Sequence, residues 1–389
     1  MRSRLVAIGL ITLVFNLGGG LIAPAVPLYA RALGADYRDL GLIGASHGLA
    51  FAVLTMPLGR ASDHLGRRVI LILSGLAVGA AAGVYLVSDR VAGLAVAKLL
   101  EAAGWAAFWP ALEAWIAEEF GSRAGGAMGV AYGAYAAAFV VGTSAAGFVI
   151  EAAGLRAPFA LYLGTATVAL VLILALSGGH TRRARDRPAP AAVRPVMTTD
   201  PRHARGQRLL AYGTGFVYVF GLGTVLAFLP AYAADRGLSP RGVGLLLGAY
   251  WVARVAGSLV AGRLSDSFGR RVVLVPAMLV GGMAACLVAL PAWTAALVLG
   301  AVGLGLTAGA SAPTCVGLVA DHVAAADRGT AMGLFEASCG VSLLASGLVG
   351  GLSAEGLGAG SPYLLAGALA FAWSAVLVRR LAPRRLAVI

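Results

Sequence analysis

Between two apolar stretches of membrane-spanning length, the chain carries Gly59-Arg60-Ala61-Ser62-Asp63-His64-Leu65-Gly66-Arg67-Arg68. The pattern returns 203 residues later as Gly262-Arg263-Leu264-Ser265-Asp266-Ser267-Phe268-Gly269-Arg270-Arg271, again between apolar stretches. The same offset pairs Pro27 with Pro230, Tyr29 with Tyr232, Gly34 with Gly237, Arg38 with Arg241, Gly41 with Gly244 and Pro110 with Pro313. Farther along it drifts by one, and Ala127-Met128-Gly129 meets Ala331-Met332-Gly333. A register held through so many turns marks internal duplication, and it restricts the chain to two copies of one apolar helical unit.

With 59% hydrophobic and 12% charged residues, the chain is far from soluble composition. Apolar runs long enough to cross a bilayer recur twelve times, roughly at 5–28, 39–59, 69–88, 91–117, 124–150, 156–177, 209–233, 242–262, 272–290, 293–319, 329–352 and 361–378. The expected fold class is an all-α integral membrane protein, with twelve transmembrane helices in two pseudo-symmetric six-helix bundles. Its parts are an N-terminal bundle at 1–177, an Arg/Pro-rich linker at 178–208, a C-terminal bundle at 209–378 and a tail at 379–389.

A net charge of +13 invites a nucleic-acid reading, which its distribution excludes. Arginines crowd the linker, the tail and the repeated turns, while few fall in the loops of the opposite face. That asymmetry is the positive-inside pattern, and it predicts a multi-pass protein with both termini in the cytoplasm. Compact loops and arginine-rich composition point to a bacterial inner (plasma) membrane. The linker reads as a tether between the bundles or as a segment attracted to anionic lipid headgroups. Cys286, Cys315 and Cys339 fall within predicted spans without metal-ligand spacing, so neither a zinc site nor a disulfide framework is expected. No phosphate loop or nucleophile elbow is visible, and the chain is read as no enzyme, with no cofactor and no metal.

The glycine–aspartate–arginine turn after the second span and again after the eighth resembles the loop signature of the major facilitator superfamily. Lys98-Leu99-Leu100-Glu101-Ala102-Ala103-Gly104 is similar to a basic-residue helix motif of its drug:proton antiporter branch, with lysine for arginine and Ala102 for a glycine. Gly142-Thr143-Ser144-Ala145-Ala146-Gly147 keeps the glycines of the antiporter signature, with Thr143 where proline is expected. The resemblance implies alternating access. It makes Gly59, Asp63, Gly66, Arg67, Arg68, Gly262, Asp266, Gly269, Arg270 and Arg271 a gate, with Asp63 docking near Arg328. Physical chemistry concurs in part: Asp63 and Asp266 precede a helix start, where negative charge is favoured, and the arginines can pair with them or with carboxylates and helix ends of the opposite half.

Subtracting one half from the other isolates what symmetry leaves unexplained. At the 203 offset Asn16 faces Val219, His47 faces Tyr250, Lys98 faces Ala301, Glu101 faces Leu304, Glu113 faces Val316 and Arg254 faces Phe51; at 204, Glu336 faces Tyr132. Ionisable groups inside a membrane are costly and are functional candidates by default. Lys98 is the single lysine among 30 basic residues. At about 100° per residue, Lys98, Trp105 and Trp109 share a stripe flanked by Glu101 and Glu113. That face is expected to line a central cavity.

Lys98, Glu101, Glu113, Glu336 and His47 are the candidate proton-coupling residues. His47 reads as a proton relay or, more readily, as a hydrogen-bonded packing histidine. Glu113, nearer the cytoplasm, reads more readily as a gate or ion-pair partner than as a substrate contact. Glu101 and Lys98 read either as a tunable proton carrier or as a self-neutralised ion pair. Glu336 reads as a cation or proton site, or as the partner of Arg254. Asn16, Trp105, Trp109, Tyr132, Tyr250 and Arg254 are the candidate cavity residues. Aromatic walls with a few carboxylates suit lipophilic cations. The expected partners are therefore a small-molecule substrate, protons and the lipid bilayer. The leading function is proton-coupled efflux of amphipathic compounds. Proton-driven uptake of a polar metabolite is the alternative, and a non-transporting sensor on the same scaffold is a third reading.

Overall fold

A computed structural model describes residues 2–177, 201–290, 294–323 and 328–381. Twelve helices carry these residues: α1 (Arg2–Ala32), α2 (Tyr37–Leu65), α3 (Arg67–Val87), α4 (Val91–Phe120), α5 (Ala124–Ala153), α6 (Ala157–Leu176), α7 (Pro201–Ala234), α8 (Pro240–Phe268), α9 (Arg270–Ala289), α10 (Thr294–Asp321), α11 (Arg328–Leu357) and α12 (Ser361–Arg380). A single 3-10 turn joins α4 to α5, and no strand occurs among the described residues. Each of the twelve is long and apolar enough to span a bilayer. In hydrocarbon only a helix satisfies its own backbone polar groups, so twelve such runs become twelve helices. The chain is a multi-pass membrane protein. Most of the expected linker lies outside the described residues, and α7 takes up 201–208, with Pro201 opening the helix and the single Gly206 tolerated inside it.

The duplication is written into the backbone. Left-handed glycines stand at Gly34 (φ 89°) and Gly237 (φ 85°), at Gly66 (φ 94°) and Gly269 (φ 92°), and at Gly154 (φ 87°) and Gly358 (φ 96°). Each pair keeps the sequence offset. Gly66 is shared, capping α2 and opening α3, because only glycine holds that conformation cheaply. At the other end of α2, Asp36 accepts from the Asp39 amide at 2.8 Å and Asp39 accepts from the Asp36 amide at 3.3 Å, a reciprocal cap.

The described residues form two compact units. The first holds α1–α6 with Leu226–Gly248, the end of α7 and start of α8; the second holds the rest of α7 and α8 with α9–α12. Small residues let backbones touch. A Cβ on Gly142 of α5 would lie 2.7 Å from the Leu17 carbonyl oxygen and 2.9 Å from Cα of Gly20 on α1. In the second unit, a Cβ on Gly309 of α10 would lie 2.0 Å from the Arg254 carbonyl oxygen on α8. Without a hydrophobic drive between helices in lipid, this close approach supplies the packing energy.

Candidate functional site

Inside the first unit, α4 carries Glu101 into a seam between helices, where it is 3% exposed. Lys98, one turn earlier, donates to both its carboxylate oxygens at 3.0 and 2.9 Å. Tyr85 of α3, fully buried, donates its hydroxyl to the same carboxylate at 2.8 Å. His47 of α2 approaches with Nδ1 3.9 Å from Oε1, beyond hydrogen-bond reach. The Tyr162 hydroxyl on α6 is buried near the same carboxylate and has no hydrogen-bond partner among the described residues. A carboxylate, an ammonium, an imidazole and two phenols thus converge in otherwise apolar surroundings. Glu101 leaves the open stripe expected of it: α3 packs against α4 and takes the carboxylate through Tyr85, because a charge that far inside gains more from a donor than from a cavity wall.

The rest of the α4 stripe faces α5 and α2. Trp105 meets Phe139 edge-on at 5.7 Å, Tyr135 at 6.2 Å and His47 at 6.4 Å. Its indole Nε1 is buried and has no hydrogen-bond partner among the described residues. Trp109 stacks on Tyr132 at 5.3 Å, and the Tyr132 hydroxyl donates to Glu113 at 2.6 Å. Asn16 is fully buried on α1; its amide nitrogen donates to the Thr12 carbonyl at 2.7 Å, and its carbonyl oxygen has no partner among the described residues. In the second unit, Tyr250 is fully buried edge-on to Trp251 at 5.6 Å, and the Arg254 guanidinium lies 4.8 Å from the centre of the Trp251 ring. Arg254, Glu336, Cys315 and Cys339 all lie within electrostatic range of the buried Tyr218 hydroxyl. The expected residues therefore separate into a Glu101 cluster, a Glu113–aromatic cluster and a Tyr218–Arg254–Glu336 cluster.

The repeated turn builds one device twice. Arg67 donates to Asp63 at 2.6 Å and Ser62 at 3.0 Å, and grips Glu118, near the end of α4, through two nitrogens at 3.0 and 2.7 Å. Arg270 repeats this with Asp266 at 3.2 Å, Ser265, and Asp321 at 3.2 and 3.0 Å. Arg68 donates to the Leu174 carbonyl at 2.8 Å and Arg271 to that of Leu381 at 3.0 Å, at the C-terminal ends of α6 and α12, where carbonyls are unsatisfied. The expected pairing of these arginines with Asp63 and Asp266 is present, one alternative is replaced and one placement changes. The arginines bind carboxylates and helix ends of their own half, because Gly66 and Gly269 start α3 and α9 beside them. Asp63 and Asp266 belong to the last turn of the preceding helix, where the macrodipole disfavours an acid, and it is the i,i+4 arginine that compensates. The Arg328 side chain, the docking point implied for Asp63, lies outside the described residues.

Glu118 and Asp321 were missed by subtraction because both halves keep an acid at the same 203 offset. Comparing retained acids as well as lost ones would have found them. Tyr85 carried no such signal. A further cluster in the first unit is equally silent in sequence: Asp235 accepts from Arg31 at 3.1 Å and from the Tyr37 hydroxyl at 2.9 Å. In the same unit, Glu151 accepts from the Arg241 amide at 3.0 Å, and a Cβ on Gly147 would lie 2.3 Å from the Pro240 carbonyl oxygen.

Comparison with known proteins agrees with this architecture. A family model described as Major Facilitator Superfamily matches residues 8–233 and 211–388. An uncharacterized MFS-type transporter of Methanocaldococcus jannaschii is 22% identical over 93% of this chain and 94% of its own length. The quinolone resistance protein NorA of Staphylococcus aureus is 28% identical over 44% of this chain and 45% of its own, so that match covers under half of either protein. The crystal structure of the nucleoside transporter NupG superposes with a TM-score of 0.75 at 12% identity, covering 97% of this chain and 98% of that one; at this identity the likeness is one of fold.

Proposed function

The chain belongs to the major facilitator superfamily, and on that premise we propose that it is a secondary active transporter exporting amphipathic or lipophilic compounds in exchange for protons. The observation that carries the coupling is the Lys98–Glu101–Tyr85 cluster, an ionisable carboxylate 3% exposed inside a membrane helix and absent from the other half of the repeat. The partial likeness to a quinolone resistance protein supports the export direction.

The chemistry follows from charge exclusion. With Glu101 ionised, Lys98 is neutralised and the site tolerates a cationic substrate. A proton arriving from outside neutralises Glu101 and leaves the Lys98 ammonium uncompensated. That charge repels a bound cation and favours its release. Loss of the proton to the cytoplasm restores the pair. His47 passes the proton once its Nδ1, 3.9 Å from the carboxylate, closes to hydrogen-bond distance. Rocking of the two halves exposes the site to each side in turn, with the Arg67 and Arg270 clusters holding the helix ends together as rigid levers. The distribution of arginines supports cytoplasmic termini, and compact loops with arginine-rich composition support a bacterial inner membrane.

Substrate-induced proton movement in energised inside-out vesicles tests this, with lipophilic cations and neutral amphiphiles offered to the native chain and to Glu101→Gln. Proton release that requires substrate and vanishes in the variant is expected. Proton flow in the opposite direction would make the protein a proton-driven importer of a polar metabolite. No flux of any compound, with the chain correctly inserted, would favour a sensor. Asp63→Asn is expected to abolish flux while leaving insertion intact.

A further inference from the structure

Glu113 differs from Glu101 in one respect that matters inside a membrane. Glu101 is neutralised by Lys98 in direct contact. Glu113 makes no ion pair with any Lys, Arg or His among the described residues, and its one hydrogen bond comes from the neutral hydroxyl of Tyr132 at 2.6 Å. It lies seven residues before the end of α4 at Phe120, about 10 Å along the axis. A carboxylate held there without a counter-charge costs free energy that a bound cation relieves.

The surroundings say which cation. Trp109 is one turn from Glu113 on the same face of α4. The Tyr132 ring lies parallel to it at 5.3 Å with 10° between planes, and Tyr135 meets Trp109 edge-on at 5.3 Å. Tyr132 is 49% exposed, while Trp109 and Glu113 beside it are half-buried. A hard inorganic cation needs six or more oxygen ligands or its own water shell, and one carboxylate beside one phenol supplies neither. Aromatic faces attract a weakly hydrated, delocalised cation, and the carboxylate supplies the charge.

We propose that Glu113, Tyr132 and Trp109 form a docking subsite for the head of a lipophilic organic cation, separate from the proton-handling pair at Glu101. Twelve residues of α4 separate the two carboxylates, about 18 Å along the helix axis. Glu113, a candidate proton carrier by sequence, is thereby assigned to the substrate. The inference takes its substrate class from the proposed export function, so its test measures binding and not flux.

Purified protein in detergent is titrated at fixed pH with radiolabelled tetraphenylphosphonium and with neutral triphenylphosphine oxide. Glu113→Gln is expected to weaken tetraphenylphosphonium more than tenfold and the neutral compound less than twofold, while Gly164→Ala, with open space around the new Cβ, keeps both affinities within twofold. A second measurement uses the native chain alone: saturating tetraphenylphosphonium should slow carbodiimide labelling of Glu113 at least fivefold, read by peptide mass spectrometry. No binding to the native chain, unchanged affinity in Glu113→Gln, equal loss for both compounds, or labelling of Glu113 that ignores the cation would each overturn the subsite. A protonation role for Glu113 would show as unchanged phosphonium affinity with altered proton stoichiometry. Charge-selective binding lost in Glu113→Gln, with no proton exchange in vesicles, would leave the subsite standing and refute proton-coupled export.

Discussion

Removing Lys98 strands a charge, and removing its partner as well does not. In Lys98→Met, Glu101 loses donors at 3.0 and 2.9 Å and keeps only the Tyr85 hydroxyl at 2.8 Å. Breaking one side of a buried pair costs about 3–5 kcal/mol, and the lower end applies here because the Lys98 side chain is 19% exposed and the pair is only partly shielded. Glu101→Gln leaves an ammonium that can still reach water and an amide that still accepts from Tyr85, for about 1–2 kcal/mol. In Lys98→Met/Glu101→Gln no charge is left inside, and the loss should stay near about 1–2 kcal/mol, a coupling of roughly 3 kcal/mol between the two positions. Equilibrium unfolding in mixed detergent micelles reads all three. Losses that simply add would refute the reasoning, since independent residues do not form a pair. The same double variant separates scaffold from mechanism: it should fold almost as well as the native chain and yet exchange no protons. Retained proton exchange in it would remove Glu101 from the coupling step.

Three further outcomes follow from the geometry. Gly66→Ala is expected to cost about 1–3 kcal/mol because the backbone there (φ 94°, ψ 147°) excludes a side chain, whereas Gly262→Ala, helical with nothing within 4 Å of a new Cβ, should be neutral or slightly stabilising; equal thermal shifts would contradict this. Arg67→Lys should abolish most flux with less than about 1 kcal/mol of lost stability, since an ammonium cannot span Glu118, Asp63 and Ser62 in one fork; full activity in vesicles would deny the cluster a role in gating. Gly142→Leu should prevent α1 and α5 from closing and cost several kcal/mol, about 3 or more, while Gly164→Ala, with open space around it, should leave the melting temperature unchanged; the pair is read by fluorescence-detected size exclusion after heating.

The sequence by itself determined the twelve helices, the duplication and the turn between second and third helices. Lipid leaves an apolar run of about 20 residues one way to satisfy its backbone, and a retained glycine in a retained turn implies a left-handed residue before any coordinates exist. It also placed Lys98 and Glu101 together, because residues three apart on a helix are neighbours wherever the helix packs. Tertiary structure alone decided what each charge meets. Helical periodicity orders side chains around one axis and says nothing of how that helix is rotated against its neighbours. Whether Glu101 faced a cavity or Tyr85 of α3 was therefore open until α3 and α4 packed, and so was the handing of Arg67 to Glu118, 51 residues away. Glu101 and Glu113 of α4 are told apart in sequence only by Lys98. Packing adds phenols from α3 and α6 to the first and the Tyr132 ring and hydroxyl of α5 to the second, because each is served by the helices lying opposite it, and that is settled by shape complementarity among small residues rather than by any local pattern.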